Sequence, residues 1–266
     1  MRVAARAASA PIGAASGLQG RDRIVSYDKL TSMQPVGILA ADANPSEIAS
    51  AAGHALNNVL AYLYAASSYL DDGEVDAARA RRAVEDACRG ARALSAALSL
   101  LGMTRANVAG VPAFGQTIDA VTLGQALDAT GEDFAADRGA LDLFHGVYAA
   151  TLDRDTIGAL LLCATAALRR SGGVSCVLRL AMTTTLAPDA DQAVRRLELR
   201  LRATLPSGAE APRRSSHGPC ELALAQVAAI LPDLDAALVQ DDDGAIMLAI
   251  DLRGPADGRG AAGGWR

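Results

Sequence analysis

The chain has 266 residues, enough for one large domain or two small ones, and 51% of them are hydrophobic, ample for a buried core. Aromatics make up only 3% and alanine fills most apolar positions, so the core is built from small and aliphatic side chains suited to close helix contacts rather than to a β-sandwich. The formal net charge of -5 comes from 25 basic and 30 acidic residues interspersed along the chain, which excludes a broad cationic surface for nucleic acid and favours a protein partner.

Cys88, Cys163, Cys176 and Cys220 stand far apart without a C-x-x-C pair, and three of them lie in apolar runs. Reduced thiols in a cytoplasmic protein are therefore expected, with neither a disulfide framework nor a zinc site. The strongest apolar run, Ile157 to Leu168, falls short of the roughly 20 residues that cross a bilayer, so no membrane span is expected. Residues 1–43 show no sustained period and are interrupted by Pro11, Gly13, Gly17, Gly20 and Pro35, the pattern of a flexible arm.

The first strong helix start follows. Asn44 caps a helix with Pro45 at its first position and Glu47 at its third, where a carboxylate suits the helix dipole. Apolar residues then recur at Ala52, Leu56, Val59, Leu63, Ala66 and Leu70, the alternating three and four spacing of a heptad seam. Asp71-Asp72-Gly73 is a turn, and a second seam runs through Ala77, Ala80, Val84, Ala87, Ala91, Leu94, Leu98 and Leu101. Helices joined so briefly lie antiparallel. An alanine-rich hairpin alone buries too little, at about 0.8 kcal/mol per methylene, to offset the cost of ordering its chain. A symmetric homodimer forming a four-helix bundle is the expected solution, with residues 44–103 as the hairpin module.

Residues 104–116 read as a linker, and residues 117–254 as a second, α+β module. A helix is expected from about Val121 to Phe134, a strand near Leu141 to Phe144, and an apolar helix from about Asp153 to Arg170 closed by Gly172-Gly173. Strands follow around Val174 to Met182 and Leu197 to Thr204, the latter alternating apolar and charged residues. A polar loop from Pro206 to Gly218, a helix from Pro219 to Ile230, and a hairpin of Ala237 to Val239 against Ala245 to Leu252 about Asp243-Gly244 complete the α/β sandwich. Residues 255–266 form a flexible tail.

With Leu56 at heptad position a, His54 falls at f, farthest from the bundle core and exposed. Asn58 and Tyr62 continue a polar stripe toward the turn. Gly53, Asn57 and Asn58 are poor helix residues, together costing on the order of 1 to 2 kcal/mol relative to alanine, and a local rule broken without packing benefit points to function. An exposed neutral imidazole is a competent nucleophile for a phosphoryl group near pH 7. His145, at the end of an apolar strand, and His217, in a polar loop, form no triad with a nucleophile.

Gly53-His54-Ala55-Leu56-Asn57-Asn58-Val59-Leu60 resembles the H-box of two-component histidine kinases, which typically reads His, then Asp or Glu, then Leu-x-Asn. The hairpin resembles their dimerisation and histidine phosphotransfer domain, and the second module is similar in element order to their ATP-binding lobe. Ile157 to Gly173 stands in place of the N-box helix, and Glu221 to Leu252 in place of the terminal helix and hairpin. The resemblance covers residues 45–253, tightly in the H-box and loosely beyond it.

The departures define a subtype. The acidic general base that follows the kinase histidine is Ala55 here. Leu162-Cys163-Ala164-Thr165 occupies the place of the magnesium-holding asparagine, and Ala203 to Gly208 lacks the Asp of the adenine-gripping Asp-x-Gly-x-Gly. A bundle histidine beside such a degenerate ATP lobe resembles the ChpT-type histidine phosphotransferases, which shuttle phosphate between receiver aspartates as homodimers. The resemblance implies no intrinsic cofactor, with Mg²⁺ and the aspartate brought by the response-regulator receiver. It also implies that Asn58, four positions after the histidine, helps position water for receiver dephosphorylation. Asn57, Tyr62 and Tyr69, with Arg79, Arg82 and Glu85 on the second helix, are the expected docking residues. Alternatives are a divergent kinase that still binds ATP and a non-catalytic dimeric adaptor for a response regulator.

Overall fold

The computed structural model describes residues 44–71, 76–106, 116–131, 141, 146–171, 175–185, 194–204, 217–241 and 243–254. The expected arm at 1–43, turn at 72–73 and tail at 255–266 lie outside them, as do His145, Gly172-Gly173 and most of the expected loop at 206–218.

Helix α1 spans Pro45–Asp71 and begins as its sequence dictates: the Glu47 N–H donates to Asn44 Oδ1 at 2.9 Å, a cap worth about 1 kcal/mol. Helix α2 spans Ala77–Ala106, with Asp76 accepting from the Arg79 N–H at 3.0 Å. It passes Gly102, where the sequence suggested a change of character, and continues to Ala106. Gly102 is exposed, so its cost is only the ~1 kcal/mol intrinsic penalty, and the packing of Leu101 and Met103 on the core outweighs it.

The two helices pack along one another. A Cβ on Gly90 would lie 3.0 Å from Val59 Cγ2, so the helices approach closely here and a larger residue would have to displace the valine by a few tenths of an ångström. The two seam positions of each helix have different fates. Ala66, Ala80 and Ala87 are buried inside the hairpin, with Ala52, Val59, Leu94 and Leu101 half-buried beside them. Leu56, Leu63 and Leu70, with Val84 and Leu98, are left 43–55% exposed. Leu56, Leu63 and Leu70 recur every seven residues along α1, Val84 and Leu98 stand fourteen apart on α2, and the five form an uncovered apolar face.

Beyond the hairpin come β1 (Gln116–Ile118), α3 (Ala120–Ala129), β2 (Tyr148–Ala150), α4 (Arg154–Arg170), β3 (Ser175–Thr185), β4 (Val194–Thr204) and α5 (Pro219–Ala228). A one-turn 3₁₀-helix (Leu231–Leu234), β5 (Ala236–Gln240) and β6 (Ile246–Arg253) complete the described chain. The six strands form one antiparallel sheet in the order β1-β2-β6-β4-β3, with β5 also paired to β6. Strand β4 alternates as expected: Leu197, Leu199 and Leu201 are buried against the helices, and Leu199 sits between Leu180 and Leu248 in register. The β5–β6 hairpin turns at Gly244, whose φ of 79° favours glycine. The fold is α+β, and Ala96, Ala97 and Leu100 of α2 belong to the same core as the lobe's leucines.

Three sequence expectations are corrected. Helix α3 ends at Ala129 rather than Phe134, because Gly131 adopts φ 69° and the Thr130 hydroxyl donates to Leu127 O at 2.7 Å, closing the last turn. Leu141 lies in a 3₁₀ turn, with 142–144 outside the described residues, and the pairing strand is Tyr148–Ala150. The segment read as a linker ends in β1, whose Thr117 faces Ala149. Tyr148 also anchors this edge through the Arg195 guanidinium, which donates to its hydroxyl and stacks 5.2 Å from the ring centroid.

On the outer sheet face Arg196 clamps Asp251 with two bonds, at 2.8 and 3.1 Å, and Arg200 reaches Asp241 at 2.7 Å and Asp243 at 3.2 Å. Burial pushes the Asp243 carboxyl up, but the Ala245 N–H and the Arg200 and Arg202 guanidiniums outweigh it and hold it below its usual value. A depressed folded-state value gives stability that is present above the unfolded carboxyl's range near pH 4 and lost as pH falls through the folded one. Urea unfolding of Asp243→Asn is therefore expected to show a shallower loss of stability across that acidic window than the parent chain. An identical acid slope in both proteins argues against the assignment.

Candidate functional site

His54 lies on the exposed surface of α1, flanked by exposed Gly53, Asn57 and Asn58. Among the described residues its ring makes no hydrogen bond or ion pair. A Cβ on Gly53 would meet nothing within 4 Å, so the surface before the imidazole is open. Counting antiparallel from the Val59–Gly90 approach places His54 about level with Ser95 of α2. That is the end of the hairpin where the lobe packs: the Cys220 thiol of α5 donates to Ala93 O at 3.4 Å, and α5 also touches α1.

The other sequence-derived residues are spread toward the turn. Tyr62 is 44% exposed, and Tyr69 is half-buried about 22 Å from His54 at 1.5 Å rise per residue. On α2, Arg79 pairs with Asp76 at 3.0 Å and Glu85 with Arg81 at 2.9 Å, while exposed Arg82 makes no ion pair among the described residues. His54, Asn57 and Asn58 share one short stretch of surface, but Arg79, Arg82 and Glu85 lie roughly 15 to 24 Å along the axis from the imidazole. They do not form one small-molecule pocket. A single partner reaches all of them only if it is the size of a folded domain, about 30 Å across.

In α4, the stretch Leu162 to Thr165 faces inward. Cys163, Ala164 and Thr165 are buried, the Thr165 hydroxyl donates to Leu161 O at 2.7 Å, and Cys176 Sγ lies 4.0 Å from Thr165 O. Burial pushes the Cys163 thiol well up, reinforced by Cys220 and the Glu221 carboxylate. Glu221, only 1% exposed, accepts from the Gly218 N–H and from Arg170 Nε, both at 2.9 Å, so its charge is satisfied inside the protein. All four cysteines are free, with only Cys88 exposed. His217 is exposed at the start of α5. Among the described residues no group of three or more His, Cys, Asp or Glu is placed to hold a metal, and no helix is long and apolar enough to cross a membrane.

Sequence reasoning missed two features of this region. The Arg170–Glu221 pair joins residues from different helices, and the packing of Ala96, Ala97 and Leu100 into the lobe core brings that lobe beside the histidine. The apolar run of α2 held a signal for the second, since its buried positions continue past the length the hairpin needs.

No protein-family model and no curated protein matches the chain. Among solved structures it is similar to a bacterial phosphotransferase, with 14% identity, 79% of this chain and 98% of that chain covered, and a TM-score of 0.36. It is also similar to the Acinetobacter baumannii histidine kinase AdeS (15% identity, 75% and 97% covered, TM-score 0.37). A histidine kinase from Burkholderia phymatum gives 15% identity, 77% and 98% coverage and a TM-score of 0.31. Likenesses this distant leave the functional reading to rest on the chain's own residues.

Proposed function

We propose that this chain is a homodimeric histidine phosphotransferase of two-component signalling, in which His54 carries a phosphoryl group between the aspartates of response-regulator receivers. The observation that carries the reading is an unpartnered imidazole on the outer side of a heptad hairpin whose apolar face points elsewhere. In the transfer, the lone pair of an unprotonated ring nitrogen forms the N–P bond, the acyl-phosphate P–O bond breaks, and its electron pair leaves on the receiver's carboxylate. No base is needed for that step, which is compatible with alanine at position 55. The receiver supplies Mg²⁺ and the aspartate, and the chain supplies a positioned imidazole and a docking surface in which Asn57, Tyr62, Tyr69, Arg79, Arg82 and Glu85 take part. Asn58, one turn beyond His54, orients the hydrolytic water when phosphate is drained from the receiver.

The test is incubation of the chain with radiolabelled, phosphorylated receivers from its own cell. Acid-labile label is expected on this chain within the lifetime of the receiver's phosphate, and none is expected from labelled ATP. Receivers that bind without transferring label favour the adaptor reading, and label acquired directly from ATP favours a kinase.

A further inference from the structure

A cleft of about 380 Å³ opens between α2 and the helix layer of the lobe, walled by Arg92, Ser95 and Ser99 on one side and by Gln125, Arg154 and Asp155 on the other. Its size falls in the range of small-molecule sites. The floor is alanine-rich around Gly158, where a Cβ would come within 3.4 Å of Ala126 O; α3 and α4 therefore approach closely enough to leave a shallow apolar base.

The polar groups on its rim have donors to spare. Arg92, Ser95 and Ser99 recur on one side of α2, at i, i+3 and i+7. Arg92 Nη1 lies 3.0 Å from where a Cβ of Gly131 would stand, which lays the guanidinium against the turn ending α3. Among the described residues neither this guanidinium nor the two serine hydroxyls has a hydrogen-bond or ion-pair partner. Arg154 is instead held in place, with Nη1 on Gln125 Oε1 at 2.9 Å and both Nε and Nη2 on Asp155 Oδ1 at 2.8 Å. Three of a guanidinium's five N–H donors are thereby engaged, and two remain for a ligand. Two guanidiniums and two hydroxyls against one carboxylate, itself paired, give the cleft a net positive rim over an apolar base.

We propose that this cleft binds a small organic anion, with a phosphate or carboxylate headgroup taken by Arg92, Arg154 and the serine hydroxyls and a ring-sized apolar body resting on the alanine floor. The assignment uses no property of His54 and stands apart from the phosphotransfer reading. Its walls come from the hairpin helix and from the lobe, so an occupant ties the two together.

Titration of the full chain with phenyl phosphate, and in parallel with benzoate, followed by calorimetry and thermal unfolding, tests the assignment. Saturable binding of at least one probe with a raised Tm is expected, and the tighter of the two identifies the headgroup. Arg92→Ala and Arg154→Ala should each weaken binding at least tenfold, and Ser99→Leu, which fills the cleft from an exposed position, should abolish it. Arg202→Ala removes an equal charge from the distant outer sheet face and should leave binding unchanged. Absence of saturation at millimolar probe, or equal weakening in Arg202→Ala, overturns the proposal.

Discussion

Replacing His54 with glutamine is expected to remove receiver-dependent phosphate labelling of this chain, by about 10³-fold or more, while leaving its fold and self-association as they are. The scale follows from deleting a nucleophile, for which no other group substitutes. The structural neutrality follows from the surroundings of the ring. His54 is exposed, makes no hydrogen bond or ion pair among the described residues, and occupies the helix face away from the apolar seam. Surface changes away from such features stay within about 0.5 kcal/mol, and glutamine is a better helix former than histidine. Circular dichroism, thermal unfolding and the elution volume should therefore match the parent chain. Persistent label on the glutamine variant would place the phosphoryl group elsewhere. A variant that unfolds would show instead that the ring has a structural duty, which the open surface around it argues against.

Much of the architecture was legible because long elements repeat their signal. The seams of α1 and α2, the Asn44 cap, the apolar run of α4 and the alternation of β4 each repeat over several residues or rest on a single physical demand, and each is found in place. Short elements carry too little pattern. Three-residue β1 buries only Ile118 and three-residue β2 only Tyr148 and Ala150, and their existence depends on partners distant in sequence, Ala149 against Arg253 of β6 among them. The end of α3 was misplaced because a positive φ at Gly131 is a tertiary outcome that composition alone does not locate. The candidate nucleophile was found by heptad arithmetic, since an f position is defined by the helix itself. The cleft between Arg92 and Arg154 left no such trace: its residues come from three helices and share no local motif. Nor does a heptad distinguish the seam position that closes a hairpin from the one left uncovered on its surface, since both read as apolar.

That distinction carries the second large prediction. Leu56, Leu63, Leu70, Val84 and Leu98 remain 43–55% exposed along one side of α1 and α2, whereas the alternate seam positions are filled within the hairpin. Covering the exposed halves of these side chains on two protomers contributes on the order of 10 kcal/mol, at about 1.5 to 3 kcal/mol per fully buried aliphatic side chain. Association costs an estimated 4 to 15 kcal/mol in rigid-body freedom, so the proposed dimer would have a margin that few contacts can be spared from. Changing Leu63 and Val84 together to aspartate removes two of the five contacts on each protomer and sets four carboxylates into one apolar seam, where desolvation penalises each of them. Sedimentation at micromolar concentration should find the parent chain at about twice its 27.2 kDa mass and the double variant at the single-chain mass. Both positions are solvent-exposed within one hairpin, so the helical content of the variant should be retained. A parent chain that sediments as a monomer, or a double variant that stays paired, removes the four-helix bundle and with it the reason why a hairpin so rich in alanine leaves its leucines uncovered.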